Sequence, residues 1–233
     1  MGYHSIIYIF LFLPVCLLAY QLAPEKWRGR VLLAFSWIFF YLLSGKLLVY
    51  LLGTTLLTHC IGIWLTLLKT EEAKAVEGMD RKQKKVIKAE YQKKGRRVLI
   101  LGILILLGVL GYLKYFDFFT TNLSYLFGHP VLEGWRPENL LMPIGISFYT
   151  LQAIGYMTDV YWGTIQAETE IWRTALFLGF FPQIMEGPIA RYSDVADTLY
   201  TGKPLEYRNV VDGYVRIFWG LFKKMVIADR MAL

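Results

Sequence analysis

Long uncharged apolar runs, separated by short charged segments, dominate the first half of the chain. They occupy residues 5–22, 31–45, 47–68 and 98–113. A helix that crosses a hydrocarbon core about 30 Å thick needs roughly 20 residues, so the pattern predicts four membrane-spanning helices. The run at 31–45 is short, and its ends need flanking side chains that reach the interface. The first run lacks a basic leader and a cleavage site, so we expect a retained helix rather than a signal peptide.

The pattern changes after residue 140, where helix breakers and polar residues interrupt the apolar runs. Residues 140–158 are long enough to span, but residues 174–185 offer only twelve uncharged positions before Gly187 and Pro188. This predicts a broken or re-entrant helix that breaks at Gly187 and Pro188, and such breaks occur where backbone lines a cavity. The charges scattered through residues 210–233 predict an amphipathic helix that lies in the membrane interface or packs on other helices. The predicted fold is an all-α, polytopic membrane protein.

The charge is concentrated in one loop, which predicts the orientation of the helices. The chain has 56% hydrophobic residues and a net charge of +7, and residues 69–97 carry eleven Lys or Arg against five Asp or Glu. Cytoplasmic loops of membrane proteins are enriched in Lys and Arg, so this basic loop is predicted to be cytoplasmic. The same orientation places the basic turn at 24–30 inside and the N-terminus outside. A charge confined to such a loop argues against nucleic acid as a partner.

The basic loop has two roles that the sequence leaves open. Residues 80–97 contain good helix formers but little apolar periodicity. This pattern is typical of a solvated helical hairpin. It is also typical of a surface that binds anionic lipid or an acidic carrier protein.

Cysteine and histidine do not form a recognisable site. Cys16 and Cys60 each lie within an apolar run and are expected to be buried structural thiols, without a disulfide or a metal. The three histidines, His4, His59 and His129, are far apart in sequence. No phosphate-binding glycine loop and no Ser-His-Asp set is present. We expect neither a metal nor a bound cofactor.

The stretch at residues 142–163 is apolar enough for a bilayer yet contains helix breakers and polar side chains. Polar groups at hydrocarbon depth are costly unless they face protein or a water-filled cavity. We therefore predict that this stretch forms the wall of an intramembrane site, with residues 180–192 as its neighbour. The candidate lining residues are Pro143, Gly145, Ser147, Tyr149, Gln152, Asp159, Pro182, Gln183, Glu186, Gly187, Pro188 and Arg191.

Simpler interpretations of these residues stay open. Pro143 and Gly145 also suit a kink at a helix entrance. Tyr149 and Gln152 can share a helix face because they are three positions apart, and they would either orient an acceptor hydroxyl or hold neighbouring helices together. Asp159 is either a buried acid paired with a basic residue or a charge at the interfacial end of a helix. Glu186 needs a partner, and Arg191 is the nearest in sequence.

Four sequence blocks, in order, resemble the membrane-bound O-acyltransferase family. They are GYLKYFDFF at 111–119, MPIGISFYTLQAIGYMTDVY at 142–161, FFPQIMEGPIARY at 180–192 and GLFKKMVIAD at 220–229. The similarity is strongest to the bacterial branch that includes the alginate O-acetylation protein and the D-alanyl transfer protein of teichoic acids. The resemblance implies a ring of helices around a tunnel where an acyl donor and a hydroxyl acceptor meet.

The resemblance also implies that part of the enzyme is missing from these residues. The family's catalytic histidine follows a tryptophan and precedes a glycine, and none of the three histidines here has those neighbours. We therefore expect residues 1–233 to be a single membrane domain, the N-terminal half of an incomplete ring, with no catalytic residue and no activity alone. Substitution of any of the three histidines in a full-length protein is expected to leave turnover intact.

The implied function is O-acyl transfer, most simply of acetyl, to an exported polysaccharide of the bacterial cell envelope. The expected location is the cell membrane, with several passes through the lipid bilayer. The expected co-substrate is an acyl thioester, either acetyl-CoA or an acyl carrier protein on the cytoplasmic side. An extracytoplasmic acyltransferase is a further expected partner. A transporter or flippase, with broken helices around a substrate path, and a non-catalytic membrane scaffold are the alternatives.

Overall fold

The computed structural model describes residues 5–127, 142–185 and 187–231. These residues are 83% helical, and no strand occurs among them. The chain divides into two compact units, one formed by residues 1–32 and 198–233 and the other by residues 33–197. The chain passes from one unit to the other within α2 (Glu25–Ser44) and again within α8 (Tyr192–Tyr200).

The first unit joins the two ends of the chain. It contains a π-helix at Tyr8–Phe12, α1 (Leu13–Leu22), the start of α2, α9 (Tyr207–Phe222), a second π-helix at Lys223–Ala228 and α10 (Asp229–Met231). Side chains of the N-terminal helices bind backbone of the segment before α9. The Tyr20 hydroxyl donates to the carbonyl of Lys203 at 2.9 Å, and Arg28 donates to that of Gly202 at 2.6 Å.

The second unit is organised around α3 (Leu48–Val76), which contacts α4 (Arg81–Leu110), α6 (Ile146–Trp162) and α7 (Ile171–Gly179). A 3₁₀ turn at Gly45–Leu47 joins α2 to α3, and α4 continues through a π-helix at Gly111–Tyr115 into α5 (Phe116–Phe127). The last helix to begin here, α8 (Tyr192–Tyr200), runs past the division between the units. The basic loop is therefore the adjoining ends of α3 and α4, which form a helical hairpin with its turn at residues 77–80.

Two continuous helical stretches, Glu25–Val76 and Arg81–Phe127, are long and apolar enough to cross a membrane, and Tyr8–Leu22 is a shorter apolar one. Large apolar side chains on their surfaces are exposed, for example Ile38, Leu56 and Leu104. An exposed apolar side chain is favourable on a protein surface that faces hydrocarbon, because the lipid shields it from water. Length, composition and surface together indicate a membrane protein.

The structure places the break after the 174–185 run earlier than predicted. Helix α7 ends at Gly179, and residues 181–185 form a turn, so the helix does not extend to Gly187 and Pro188. Pro182 is a physical reason for the early end. In a continued helix its ring would clash with the carbonyl of Leu178, and it has no N–H to donate to that carbonyl. The chain leaves helical conformation at Phe180, where ψ is 111°. The predicted helix over 210–233 is confirmed from Tyr207 to Met231.

Candidate functional site

Gly145 brings the two candidate stretches together. It precedes α6 in the left-handed conformation, with φ at +71°, and a Cβ at this position would lie 2.0 Å from the carbonyl oxygen of Ile184. Glycine alone adopts this conformation without strain and permits such a close approach of two backbones. The predicted adjacency of residues 142–163 and 180–192 is therefore a direct contact. Pro143, just before the turn, is buried.

Gln152 links α6 to α7. Its side chain is 6% exposed, and its Nε2 donates to the carbonyl oxygen of Phe177 at 3.1 Å. Phe177 lies in the last turn of α7, where backbone carbonyls have no partner within the helix. Gln152 supplies that partner, so its role is to hold two helices together.

Tyr149 shares the buried face of α6 with Gln152, as their spacing predicts. Its side chain is 1% exposed, and its ring makes an edge contact with Phe40 of α2, with the centroids 6.5 Å apart. Its hydroxyl is buried and makes no hydrogen bond to any residue in the described part of the chain. An unsatisfied buried hydroxyl is costly and calls for a functional or structural reason.

The ends of α6 carry the other two predicted polar residues. Ser147, in the first turn, accepts a hydrogen bond from Nζ of Lys114 at 3.0 Å. Asp159, in the last turn, is partly exposed, and its backbone carbonyl accepts from Gly163 and Thr164. The described structure thus places Asp159 at the end of the helix, away from Tyr149 and Gln152.

The candidates between residues 182 and 191 form an irregular segment. The backbone of Phe181 donates to Ser36 at 3.3 Å, and Gly187 donates to the carbonyl of Gln183 at 3.1 Å. The side chains of Pro182, Pro188 and Arg191 are exposed. Glu186 lies outside the described residues, so its predicted pairing with Arg191 stays a prediction, as does the tunnel-lining role of the whole set.

A partly buried polar network that the sequence did not predict lies beside this site. The hydroxyl of Tyr192 donates a short hydrogen bond to Glu168, and the backbone of Glu168 donates to the hydroxyl of Tyr156 at 2.8 Å. Arg173 contacts the second oxygen of Glu168 at 3.4 Å. The network therefore joins the loop after α6 to the starts of α7 and α8. Glu168 was missed because it lies in a short loop without periodicity.

His59 is buried in α3, with its Nδ1 3.2 Å from the hydroxyl oxygen of Thr174 in α7. This contact is between two helices and agrees with a structural histidine. The other two, His4 and His129, lie outside the described residues. The expectation that none of the three is catalytic stays a prediction.

A cavity of about 310 Å³ lies where α3, α4 and α6 meet near the basic loop. Lys69 enters it and donates to the carbonyl of Val160 at 2.8 Å, which ties the end of α3 to the end of α6. The polar and apolar residues of its wall are Leu65, Leu68, Lys69, Glu72, Tyr91, Gln92, Gly95, Tyr161 and Trp162.

The cysteines differ from one another. Cys16 is buried, as predicted, but Cys60 is exposed, so the prediction of a buried thiol is wrong there. An apolar run places a residue in a spanning helix without indicating which face of the helix it occupies. Within the described ranges, no group of three or more His, Cys, Asp or Glu is placed to hold a metal ion.

Known relatives cover the entire chain. A protein named "Probable alginate O-acetylase AlgI" from Pseudomonas aeruginosa is 31% identical over 232 residues, which is 100% of this chain and 41% of that protein. A peptidoglycan O-acetyltransferase from Helicobacter pylori is 27% identical over 266 residues, covering 99% of this chain and 45% of that protein. A teichoic acid D-alanyltransferase from Bacillus subtilis is 31% identical over 93 residues, or 39% of this chain and 24% of that protein.

No known family profile and no solved structure matches the chain. The chain spans about two-fifths of the length of the curated relatives that it matches. Along all of its residues, the chain is nevertheless similar, at about 30% identity, to bacterial proteins named as alginate O-acetylases.

Proposed function

We propose that the protein containing this chain is a membrane O-acyltransferase that acetylates hydroxyl groups of an exported cell-envelope polysaccharide. The observation that carries the proposal is similarity over the whole chain to proteins named as O-acetylases of alginate and of peptidoglycan. Both names describe transfer of acetyl to a carbohydrate polymer. Acetyl is favoured over D-alanyl because the D-alanyl relative matches only 39% of the chain.

The reaction requires a thioester and a general base. The acceptor hydroxyl oxygen attacks the thioester carbonyl carbon, the carbon–sulfur bond breaks, and the thiolate leaves. The hydroxyl proton passes to the base and then to the departing sulfur. By resemblance, the base is a histidine outside these 233 residues, and the chain by itself transfers no acetyl.

The contribution of this chain is one wall of the path along which donor and acceptor meet. The wall is formed by the start of α6 and the irregular segment after α7, which contact each other at Gly145 and Ile184. The buried hydroxyl of Tyr149 is the group on this wall that is best suited to bind an acceptor. This assignment is supported by the absence of a hydrogen-bond partner for the Tyr149 hydroxyl among the described residues.

The proposed setting is a multi-pass arrangement in the bacterial cell membrane, with the α3–α4 hairpin in the cytoplasm. The cavity beside Lys69 then opens toward the side where acetyl-CoA or an acyl carrier is available. The helices form part of a larger ring, and an extracytoplasmic partner completes transfer to the polymer.

Deletion of the gene tests the function. The acetate that mild alkali releases from the envelope polysaccharide is measured in wild-type, deleted and complemented cells. Deletion of the gene is expected to abolish the released acetate. Complementation with the gene as encoded is expected to restore it. Complementation with residues 1–233 alone is expected to restore none. Unchanged acetate would contradict the proposal, and polysaccharide retained inside the cell would instead support a transporter.

A further inference from the structure

A groove of about 320 Å³ lies between α3 and α4, and its lining residues belong to these two helices. Its lining consists of Trp64 and Leu68 from α3 and Lys94, Arg97, Val98 and Leu101 from α4. The α4 residues are spaced three and four positions apart, so they form one stripe along the helix. From Lys94 to Leu101 the stripe extends about 10 Å along the axis.

The groove is cationic at one end and apolar at the other. Lys94 and Arg97 form the end next to the hairpin turn, while Val98 and Leu101 continue into the apolar part of α4. Leu101 and Leu104 are both exposed, so the apolar surface extends beyond the groove itself. Trp64, whose side chain is half exposed, forms the opposite wall. Tryptophan is enriched where the hydrocarbon core meets the headgroups.

The two cations are not equivalent. Nζ of Lys94 lies 2.8 Å from Glu90 and above the ring of Tyr91. The hydrogen bond from Lys94, together with its charge, lowers the pKa of Glu90, so this carboxylate stays ionised at neutral pH and offsets part of the lysine charge. Arg97 has no ion pair with any acidic side chain in the described part of the chain. A guanidinium is suited to bind a phosphate through two parallel hydrogen bonds.

We propose that this groove binds one anionic phospholipid of the cytoplasmic leaflet. Its phosphate pairs with Arg97, Lys94 assists, and an acyl chain lies along Leu68, Val98 and Leu101 toward Leu104. Charge complementarity and the apolar continuation select a lipid over a protein segment, since a solvated acidic peptide gains nothing from the apolar end. The proposal rests on the membrane setting and the cytoplasmic hairpin given under Proposed function, and it does not depend on acyl transfer.

The test uses the protein as its gene encodes it, purified in mild detergent and titrated with phosphatidylglycerol or with phosphatidylcholine. Bound lipid is counted by native mass spectrometry. Arg97→Gln is compared with Arg96→Gln, which removes the same charge from the neighbouring position, outside the groove lining. Arg97→Gln is expected to weaken phosphatidylglycerol binding roughly tenfold, the loss that follows removal of a hydrogen-bonded charge pair. Arg96→Gln is expected to change the binding less than about twofold.

Equal losses in the two variants would overturn the site and indicate a diffuse basic surface. Equal binding of the two lipids to the wild type would also overturn it, and so would a co-purified protein that occupies the groove. Acetyl transfer is measured on the same preparations. Selective lipid binding without transfer would contradict the proposed function alone, whereas transfer without selective lipid binding would contradict the lipid site alone.

Discussion

The backbone of Gly145 lies directly against the carbonyl oxygen of Ile184, which is 2.0 Å from where a Cβ of residue 145 would be. This contact joins the start of α6 to the turn after α7. Its geometry requires a glycine for two reasons, because φ at this position is +71° and because a side chain has no space.

Gly145→Ala is therefore expected to lower the free energy of unfolding by at least about 2 kcal/mol. The left-handed conformation alone costs an alanine roughly 1–2 kcal/mol, and the clash with backbone adds to this. Thermal unfolding of the purified protein, followed by intrinsic fluorescence, measures the effect.

Gly155→Ala is the matched control, since Gly155 lies in the same helix with nothing within 4 Å of its Cβ position. This control variant is expected to leave the midpoint temperature of thermal unfolding unchanged or to raise it slightly, because alanine forms helix more readily than glycine. Equal midpoints for the two variants would show that the contact at Ile184 does not constrain the fold.

Gln152→Leu is expected to destabilise the protein by roughly 0.6–2 kcal/mol, the range for a hydrogen bond between membrane helices. The change removes the donor from the carbonyl of Phe177 in the last turn of α7. Gln83→Leu on the exposed surface of α4 is the control. A loss of stability in the control as large as in Gln152→Leu would refute the linking role of Gln152.

Glu168→Ala is expected to cost about 1.5–3 kcal/mol, since it removes a charged acceptor from the buried hydroxyl of Tyr192. Glu170 provides the comparison: it also pairs with Arg173, at 3.2 Å, but its side chain is 48% exposed. Glu170→Ala is expected to cost less than about 1 kcal/mol. Chemical unfolding of the two variants in the same detergent measures both values, and the reverse order would contradict the importance of the network.

Tyr149→Phe separates a functional hydroxyl from a structural one. Since the hydroxyl has no partner among the described residues, its removal is expected to leave the unfolding midpoint unchanged or higher. The rate of acetyl transfer is expected to fall about tenfold or more, the loss for one hydrogen bond to the reacting substrate. An unchanged rate would remove Tyr149 from the proposed wall.

The helices were predictable because long apolar runs favour helices, and α2, α3 and α4 contain most of the runs at 31–45, 47–68 and 98–113. The contact between residues 142–163 and 180–192 was predictable from the helix breakers in both. The Glu168 network was not predictable, because Glu168 lies in a loop and follows no periodic pattern. Helix α7 ends earlier than predicted because a regular helix does not continue through Pro182. The orientation of Cys60 was not predictable because a uniformly apolar run has no polar face.

The most direct test of the proposed acyltransferase is transfer of a labelled acetyl group in membrane vesicles that contain the protein as its gene encodes it. The vesicles receive a thioester labelled on its acetyl group, and both alkali-labile label on the polysaccharide and released thiol are measured. The account predicts that the two products form in equal amounts and that vesicles without the protein form neither. Movement of polysaccharide across the membrane without any labelled ester would contradict it.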